Sequence, residues 1–508
     1  MTHGGTHTHG PEAQIQKLEE LNFDQLRIPP YQRPYKWTIK NVNQLIDDLL
    51  YEIPRQENLE AYRLGTLVLH ENNIVDGQQR IITLALLFYQ LLNKLETEQK
   101  QDVNKELKSK YNDFHSKIRN FCQNTKFSSP ISKENIRINA GAIDKRLCEI
   151  SKKPDKFDLK LLMFLLEKCE FVVVSLSTID EAFQFFDSQN SRGKELLPHD
   201  LLKAFHIREI PESENGDDEN NRDDENIRKW EETDTKKLAE LFEYLYFLKS
   251  WLKGEKGDRF TKDKIDIFKG ISLKGPLYPQ SLSHIISHAF STLPKEQSLG
   301  NCCLDSFSVS IGITKKDLLN ALKENEDFSF QIDQPCINGT RFFEMVLHYH
   351  RLLSEIQDSN AFRKTVIQPS KKISAAQIVE FLNSYSKRNR TGDYYVRWLF
   401  NSLLLLYVDK FGWYEIDKAT RKIFLWTYGI RLARNRVDWD YAIDSRVKDE
   451  LLFKALRDAV IPDDILNCIC PIYEKASPEN KDQDNRVGKI KSSNPDLFPF
   501  YEKVRDGQ

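Results

Sequence analysis

Residues 76–80 read Asp-Gly-Gln-Gln-Arg, an order that suits a phosphate group. Gly77 lets the backbone turn tightly and approach a ligand closely. With a helix starting at Gln78, the amides of Gln78, Gln79 and Arg80 fall in its first turn and have no intrahelical acceptor. A helix N-terminus carries roughly half a positive charge and binds anions. Arg80 adds a full charge in a planar fork that matches phosphate oxygens. Asp76 cannot donate to a phosphate; beside an anion, its carboxylate suits Mg²⁺ or a positioned water. The same five residues also fit a plain hairpin turn followed by a solvated arginine, and the sequence leaves both readings open.

Two further clusters carry related chemistry. Ile28 to Trp37 reads Ile-Pro-Pro-Tyr-Gln-Arg-Pro-Tyr-Lys-Trp, kept extended by its three prolines. Its aromatics, Tyr31 and Tyr35 among them, can stack on a base, and Arg33 can reach a phosphate. An edge segment packing its aromatics on the core would look the same. Asp187 to Lys194 ends in an Asn190-Ser-Arg192-Gly193 turn, which either faces a ligand or caps a helix. Lys203 follows on the next helix. A bound triphosphate carries about four negative charges, more than one helix end can balance. A real site therefore needs several cations, and Arg33, Arg80, Arg192 and Lys203 are the ones to bring together.

The elements that must position these residues are legible. Val42, Leu45, Ile46, Leu49 and Leu50 lie at helical spacing. Residues 62–70 and 73–75 read as strands, with Asp76-Gly77 closing the second. From Gln78 the period changes, and Ile81, Leu84, Ala85, Phe88 and Leu92 share one helical face. Phe171 to Ser177 is a β-branched run suited to a buried strand. Thr178 and Glu181 form a capping box, and Pro198 opens another helix. Residues 211–228 are acidic and poor in apolar side chains, which reads as a solvated loop or linker. Beyond them the pattern is almost wholly helical, most strongly apolar at 394–411 and 420–432.

Composition sets the class. Hydrophobic residues at 40% and charged residues at 30% allow a packed core in a chain of 508 residues. The formal net charge of -2 argues against a uniformly basic nucleic-acid binder. The eight cysteines include no Cys-x-x-Cys pair, so they read as free thiols in a reducing cytoplasm. No apolar run is long enough to span a bilayer. Residues 1–10 are polar and rich in His, Thr and Gly, unlike a secretory signal.

The motifs, taken in order, resemble one family. Ile28-Pro-x-Tyr-Gln-Arg-x-Tyr-x-Trp37, Leu64-Gly65, Val75-Asp-Gly-Gln-Gln-Arg80 with Thr83-Leu84, Phe186-x-x-x-Asn190-x-Arg-Gly193 and Asp200-Leu-x-Lys203 are similar to the GmrS-type family of ParB-like domains. These form the N-terminal module of GmrSD-type, modification-dependent restriction enzymes and related antiphage proteins. The resemblance is strong over residues 15–210. It is looser through Asn338-Gly339, Arg397-x-Leu-Phe400 and Trp426-x-Tyr428-x-x-Arg431. It implies a ParB/sulfiredoxin-like α/β fold that binds, and often hydrolyses, a nucleoside triphosphate with Mg²⁺. It also implies that Asp76, Gln78, Gln79 and Arg80 act on the phosphates, with Asp76 as the metal ligand. Tyr31, Gln32, Arg33, Tyr35, Gly77, Asn190, Arg192 and Lys203 would complete the nucleotide site.

One departure bears on activity. GmrSD-type enzymes often carry a C-terminal His-Me-finger nuclease, whereas the last histidine here is His350. The expectation is therefore a separate nuclease or effector. His348 and His350 lie on an apolar helix and read as ordinary histidines rather than a metal pair. Residues 371–397 hold six basic and two acidic side chains, and the following helices add Lys418, Arg421, Lys422, Arg431, Arg434 and Arg436. That is either a DNA-tracking face, with Arg388, Arg390, Arg434 and Arg436 as its candidates, or a solvated basic surface.

The expected class is α+β: a disordered terminus at 1–14, a ParB-like nucleotide-binding domain at 15–210 and an acidic linker or loop at 211–228. A mostly α-helical domain at 229–475 and a polar C-terminal tail at 476–508 follow. The expected function is a cytoplasmic sensor or regulatory subunit of a restriction-type antiphage system. It would bind and hydrolyse a nucleoside triphosphate with Mg²⁺ and act with DNA and a separate effector, away from membranes. The alternative is a non-hydrolysing, ParB-like DNA-binding or toxin-neutralising regulator.

Overall fold

A computed structural model of the chain describes residues 12–55, 60–97, 105–127, 129–152, 157–178, 181, 185, 197–210, 217–255, 257, 259–274, 330–365, 372–433, 436–439, 451–468 and 492–506. These fall into two compact units. The first comprises residues 1–208 with 213–233, and the second 209–212 with 234–508.

The first unit is built on a four-stranded sheet in the order β1-β4-β2-β3, with β1 Glu12–Lys17, β2 Tyr62–His70, β3 Asn73–Asp76 and β4 Cys169–Leu176. β4 pairs antiparallel with β1 and parallel with β2, and β2 forms an antiparallel hairpin with β3. Strands on both sides of β4 explain its continuous apolar run. β1 shows no such pattern; Glu-Ala-Gln-Ile-Gln-Lys is almost wholly exposed and becomes a strand by pairing with β4. Ordered chain thus begins before residue 15, where the polar sequence suggested a loose terminus.

Side chains alternate across the sheet as strand geometry requires. Leu67, Ile74, Phe171 and Val173 enter the main core. Its helical walls are α1 Ile39–Glu52, α2 Gln78–Thr97, α3 Lys105–Asn124, α4 Pro130–Ser151 and α5 Phe157–Glu167. Val68, Val75 and Leu176 face the other way and pack with Tyr31 and with Ala204 of α6, Pro198–Arg208.

The acidic stretch differs from its expectation. Residues 217–232 form a helix, α7 Asp217–Glu232. Ile227 and Trp230 bury themselves, and the i,i+4 pairs Lys229–Glu225 and Arg228–Glu232 support the exposed side. Averaged over the segment, the acidic composition hides these two anchors.

The second unit is helical in its described part apart from short connections. It contains α8 Thr235–Leu252, α9 Thr340–Gln357, α10 Ser359–Thr365, α11 Ala375–Ser384, α12 Thr391–Phe411, α13 Ile416–Ala433, α14 Leu451–Asp458, α15 Pro462–Leu466 and α16 Leu497–Asp506. The two apolar stretches of the sequence become α12 and α13, buried on nearly every face along their middle turns. α16 docks where Leu497-Phe498 suggested: Tyr501 donates to the Leu425 carbonyl at 2.9 Å, and Phe500 stacks on Phe381. The α+β expectation holds, with a small mixed sheet followed by helices. Among the described residues, no helix is long and apolar enough to cross a membrane.

Candidate functional site

The corner between β3 and α2 collects unsatisfied polar groups. β3 ends at Asp76 and the chain turns at Gly77, whose φ is 99°. A Cβ at 77 would meet Leu67 Cδ1 at 3.0 Å and the Thr66 carbonyl at 3.3 Å, so glycine is required by both conformation and space. The first bond of the helix runs from the Ile81 amide to the Gly77 carbonyl, 3.0 Å. The amides of Gln78, Gln79 and Arg80 are therefore left without helical acceptors. Gln78 is only 5% exposed, yet its Oε1 has no hydrogen-bond partner among the described residues. Asp76 is half-buried, and its carboxylate makes no hydrogen bond or ion pair among the described residues. A buried acceptor left open costs about 1–3 kcal/mol. A bound donor, such as a metal-bound water or a sugar hydroxyl, would relieve that cost.

Arg80 is not the solvated arginine of the hairpin-turn reading. Its Nη1 donates to the Leu64 carbonyl at 2.7 Å. The guanidinium occupies the space over Gly65, where an added Cβ would lie 1.9 Å from Nη1. β2 bulges between Arg63 and Gly65 at this point, and Gly65 has φ 112°. The charge is thus fixed in the first turn of α2, with one of its five N–H groups committed to β2.

The Pro-rich segment is tied to the same corner. Gln32, buried, donates through Nε2 to the carbonyls of Ile74 and Val75 at 2.9 and 2.7 Å. Gln79 accepts from the amides of Lys36 and Trp37 at 2.8 and 3.2 Å and donates to the Pro34 carbonyl at 3.3 Å. Both glutamines position backbone. Tyr35 is fully buried, with its hydroxyl 2.8 Å from Thr83 Oγ1 and accepting from Asn139 at 3.0 Å. It holds the segment and has no face open to a base. Tyr31 packs with Val68, Val75 and Ala204, and burial pushes its hydroxyl up to about 12. Arg33 is half-exposed.

Sequence reasoning missed the other half of this anchorage. Ser132, Asn135 and Asn139 of α4 bond the Tyr35 amide, the Tyr35 carbonyl and the Trp37 carbonyl at 2.9, 2.9 and 2.8 Å. Their i, i+3, i+7 spacing puts three polar side chains on one helix face, and that stripe was the available signal.

α6 brings the remaining described candidate. Asp200 accepts from the Leu197 amide at 3.2 Å across the first turn. His199 is buried, and its pKa is lowered first by desolvation, with Asp200 opposing and the nearby charge of Lys36 adding to the lowering. Lys203, one turn further along the same face, is buried and paired with Glu231 of α7 at 2.7 Å. In this structure its charge is balanced by that carboxylate. Asn190 and Arg192 lie outside the described residues.

In the second unit the expected DNA face loses much of its charge to internal acceptors. Arg390 binds Asp393 through Nε and Nη2 at 2.7 and 2.9 Å and reaches the Ser493 carbonyl and Asn494. Arg431 binds the same buried Asp393 at 2.9 Å. Arg421 donates to the Ile373 carbonyl at 2.9 Å, and Lys422 to the carbonyls of Leu466 and Cys468. Arg388 is half-buried and Arg436 exposed; Arg434 lies outside the described residues. His348 is half-buried, with its ring against Phe330 and Tyr349, and desolvation lowers its pKa to about 4. No cluster of three or more metal-ligating side chains occurs among the described residues.

Comparison with known proteins divides the chain in two. Residues 15–207 match the family model described as GmrSD restriction endonuclease, N-terminal domain. Residues 222–486, a little over half of the chain, match a family of unknown function, DUF7834. No curated protein matches.

Proposed function

We propose that this chain, which belongs through residues 222–486 to the family of unknown function DUF7834 and carries an N-terminal module of the GmrSD restriction endonuclease family, is a nucleotide-responsive regulatory subunit of a restriction-type defence system. The observation that carries the reading is the β3–α2 corner. Among the described residues, three amides without an acceptor, the buried open Oε1 of Gln78, the uncommitted carboxylate of Asp76 and the fixed charge of Arg80 lie within five consecutive residues. The amides and Arg80 suit phosphate oxygens. Asp76, with the Gln78 oxygen beside it, suits Mg²⁺, which takes one or two protein oxygens and completes its shell with water and substrate phosphate. Bound there, Mg²⁺ would neutralise charge on the phosphates. Gln32, Gln79 and Tyr35 act at one remove, by holding residues 31–37 against the corner. DNA and a separate nuclease or effector are the partners we assign to the whole system.

A second reading keeps binding and drops hydrolysis. It is favoured by Gln79, whose amide oxygen and one amide N–H are already bonded to residues 34–37. Phosphate release by the full chain with Mg²⁺ and each nucleoside triphosphate separates the two readings. Turnover that falls at least about tenfold in Asp76→Asn supports hydrolysis at this corner. Tight binding without turnover supports the switch.

A further inference from the structure

We infer that Glu231 is an internal anion that holds Lys203 while the phosphate site is empty, and that a bound triphosphate takes its place. This rests on the reading of residues 76–80 as a phosphate site. Lys203 lies on the helix, α6, that packs beside that corner. Its neighbour Ala204 packs with Tyr31 and Val75, and Val75 immediately precedes Asp76. His199, one turn back on the same face, feels the charge of Lys36 in the segment that Gln79 anchors. Among the described residues, Lys203 has one strong partner, Glu231, at 2.7 Å in a nearly dry setting. A carboxylate and a phosphate oxygen compete for the same ammonium donors.

The helix that supplies Glu231 is suited to being released. α7 carries eight acidic and three basic side chains in sixteen residues, so a polyanion bound nearby repels it. Its described buried residues are Asn226 and a short apolar anchor, Ile227 and Trp230.

Its place in the chain gives the release a consequence. α7 packs as part of the first unit, although most of it lies within the residues that match the second family. Only Thr233 and Asp234 separate it from α8, and Asp234 caps α8 by accepting from the amides of Lys236 and Lys237 at 2.8 and 3.2 Å. Displacing Glu231 therefore loosens the helix that leads, through Thr233, into the first helix of the second unit. Nucleotide occupancy would be reported to the C-terminal region through this one ion pair.

The test titrates Mg²⁺-ATP, Mg²⁺-GTP and inorganic tripolyphosphate into the full chain, its Glu231→Gln variant and its Gln78→Ala variant. Hydrogen exchange over residues 217–232 is followed in parallel in the unsubstituted protein. Removing the competing carboxylate should tighten binding of at least one probe about tenfold, as expected when a competent state is freed from a tenfold bias. Exchange over 217–232 should rise on binding. Binding that depends on Gln78 but is unchanged or weaker in Glu231→Gln, with unchanged exchange, overturns the latch and leaves the phosphate site standing. Should Glu231→Gln fold poorly, the exchange in the unsubstituted chain decides alone. No binding of any probe overturns both.

Discussion

A single methyl group at residue 65 tests how Arg80 is held. Alanine there would place its Cβ 1.9 Å from Nη1 and would have to adopt φ 112°. Gly65→Ala should lower stability by about 3 kcal/mol, read from the urea midpoint, and should weaken any ligand bound beside Arg80. An unshifted midpoint would show that Arg80 is not seated over β2. Arg390 is the corresponding test in the helical unit. Its loss leaves Asp393 with Arg431 and Tyr385, and frees the Ser493 carbonyl. Arg390→Ala should cost about 2 kcal/mol whether or not DNA is present. A stable variant that had lost only DNA affinity would restore the binding role expected from sequence. The two arginines also show what residue types can and cannot reveal. Arg80 beside Gly77 was legible because local geometry fixes both. The commitment of Arg421 and Lys422 was not, because their acceptors lie more than forty residues away; Arg390 has Asp393 three residues on, but a count of charges does not show that the pair is made.

Among the elements, α9 and α12 meet through a buried carboxyl. Asp409 of α12 accepts from Tyr349 of α9 at 2.6 Å and from the Ile332 amide at 3.0 Å. Burial raises its pKa to about 7, partly offset by those two bonds. A carboxyl whose folded pKa lies above its unfolded value of about 4 stabilises the fold below that value, and the contribution is lost as pH rises towards 7. The helical unit should therefore lose up to a few kcal/mol between pH 4 and pH 7 from this group. Asp409→Asn can keep both contacts, with the amide NH₂ donating to Tyr349 and the oxygen accepting from Ile332. It should flatten that part of the pH–stability curve and raise stability at pH 8. Denaturation midpoints across this range check it, and parallel curves for the two proteins would refute the assignment. Helices and strands with clear periodicity, such as α1, α2 and β2, were readable from sequence. β1 and α7 were not: one is a polar edge strand defined by its neighbour, and the other shows two anchors in an acidic background.

For the whole molecule, the acidic stretch does not separate two domains as its composition suggested. The boundary falls after Thr233, and the acidic helix belongs to the unit that carries the β3–α2 corner. The near-neutral net charge likewise concealed local arrangements: Arg80 fixed beside Asp76 at the start of α2, and an acidic helix whose Glu231 pairs with Lys203. All of this depends on residues 76–80 binding a phosphate. Calorimetric titration of Mg²⁺-ATP and Mg²⁺-GTP into the full chain and its Gln78→Ala variant tests that dependence most directly. Binding of at least one nucleotide that weakens about tenfold on losing the buried amide, with the melting temperature of the free protein held, is the predicted result. Equal affinity in the two proteins, or no binding to either, would contradict it.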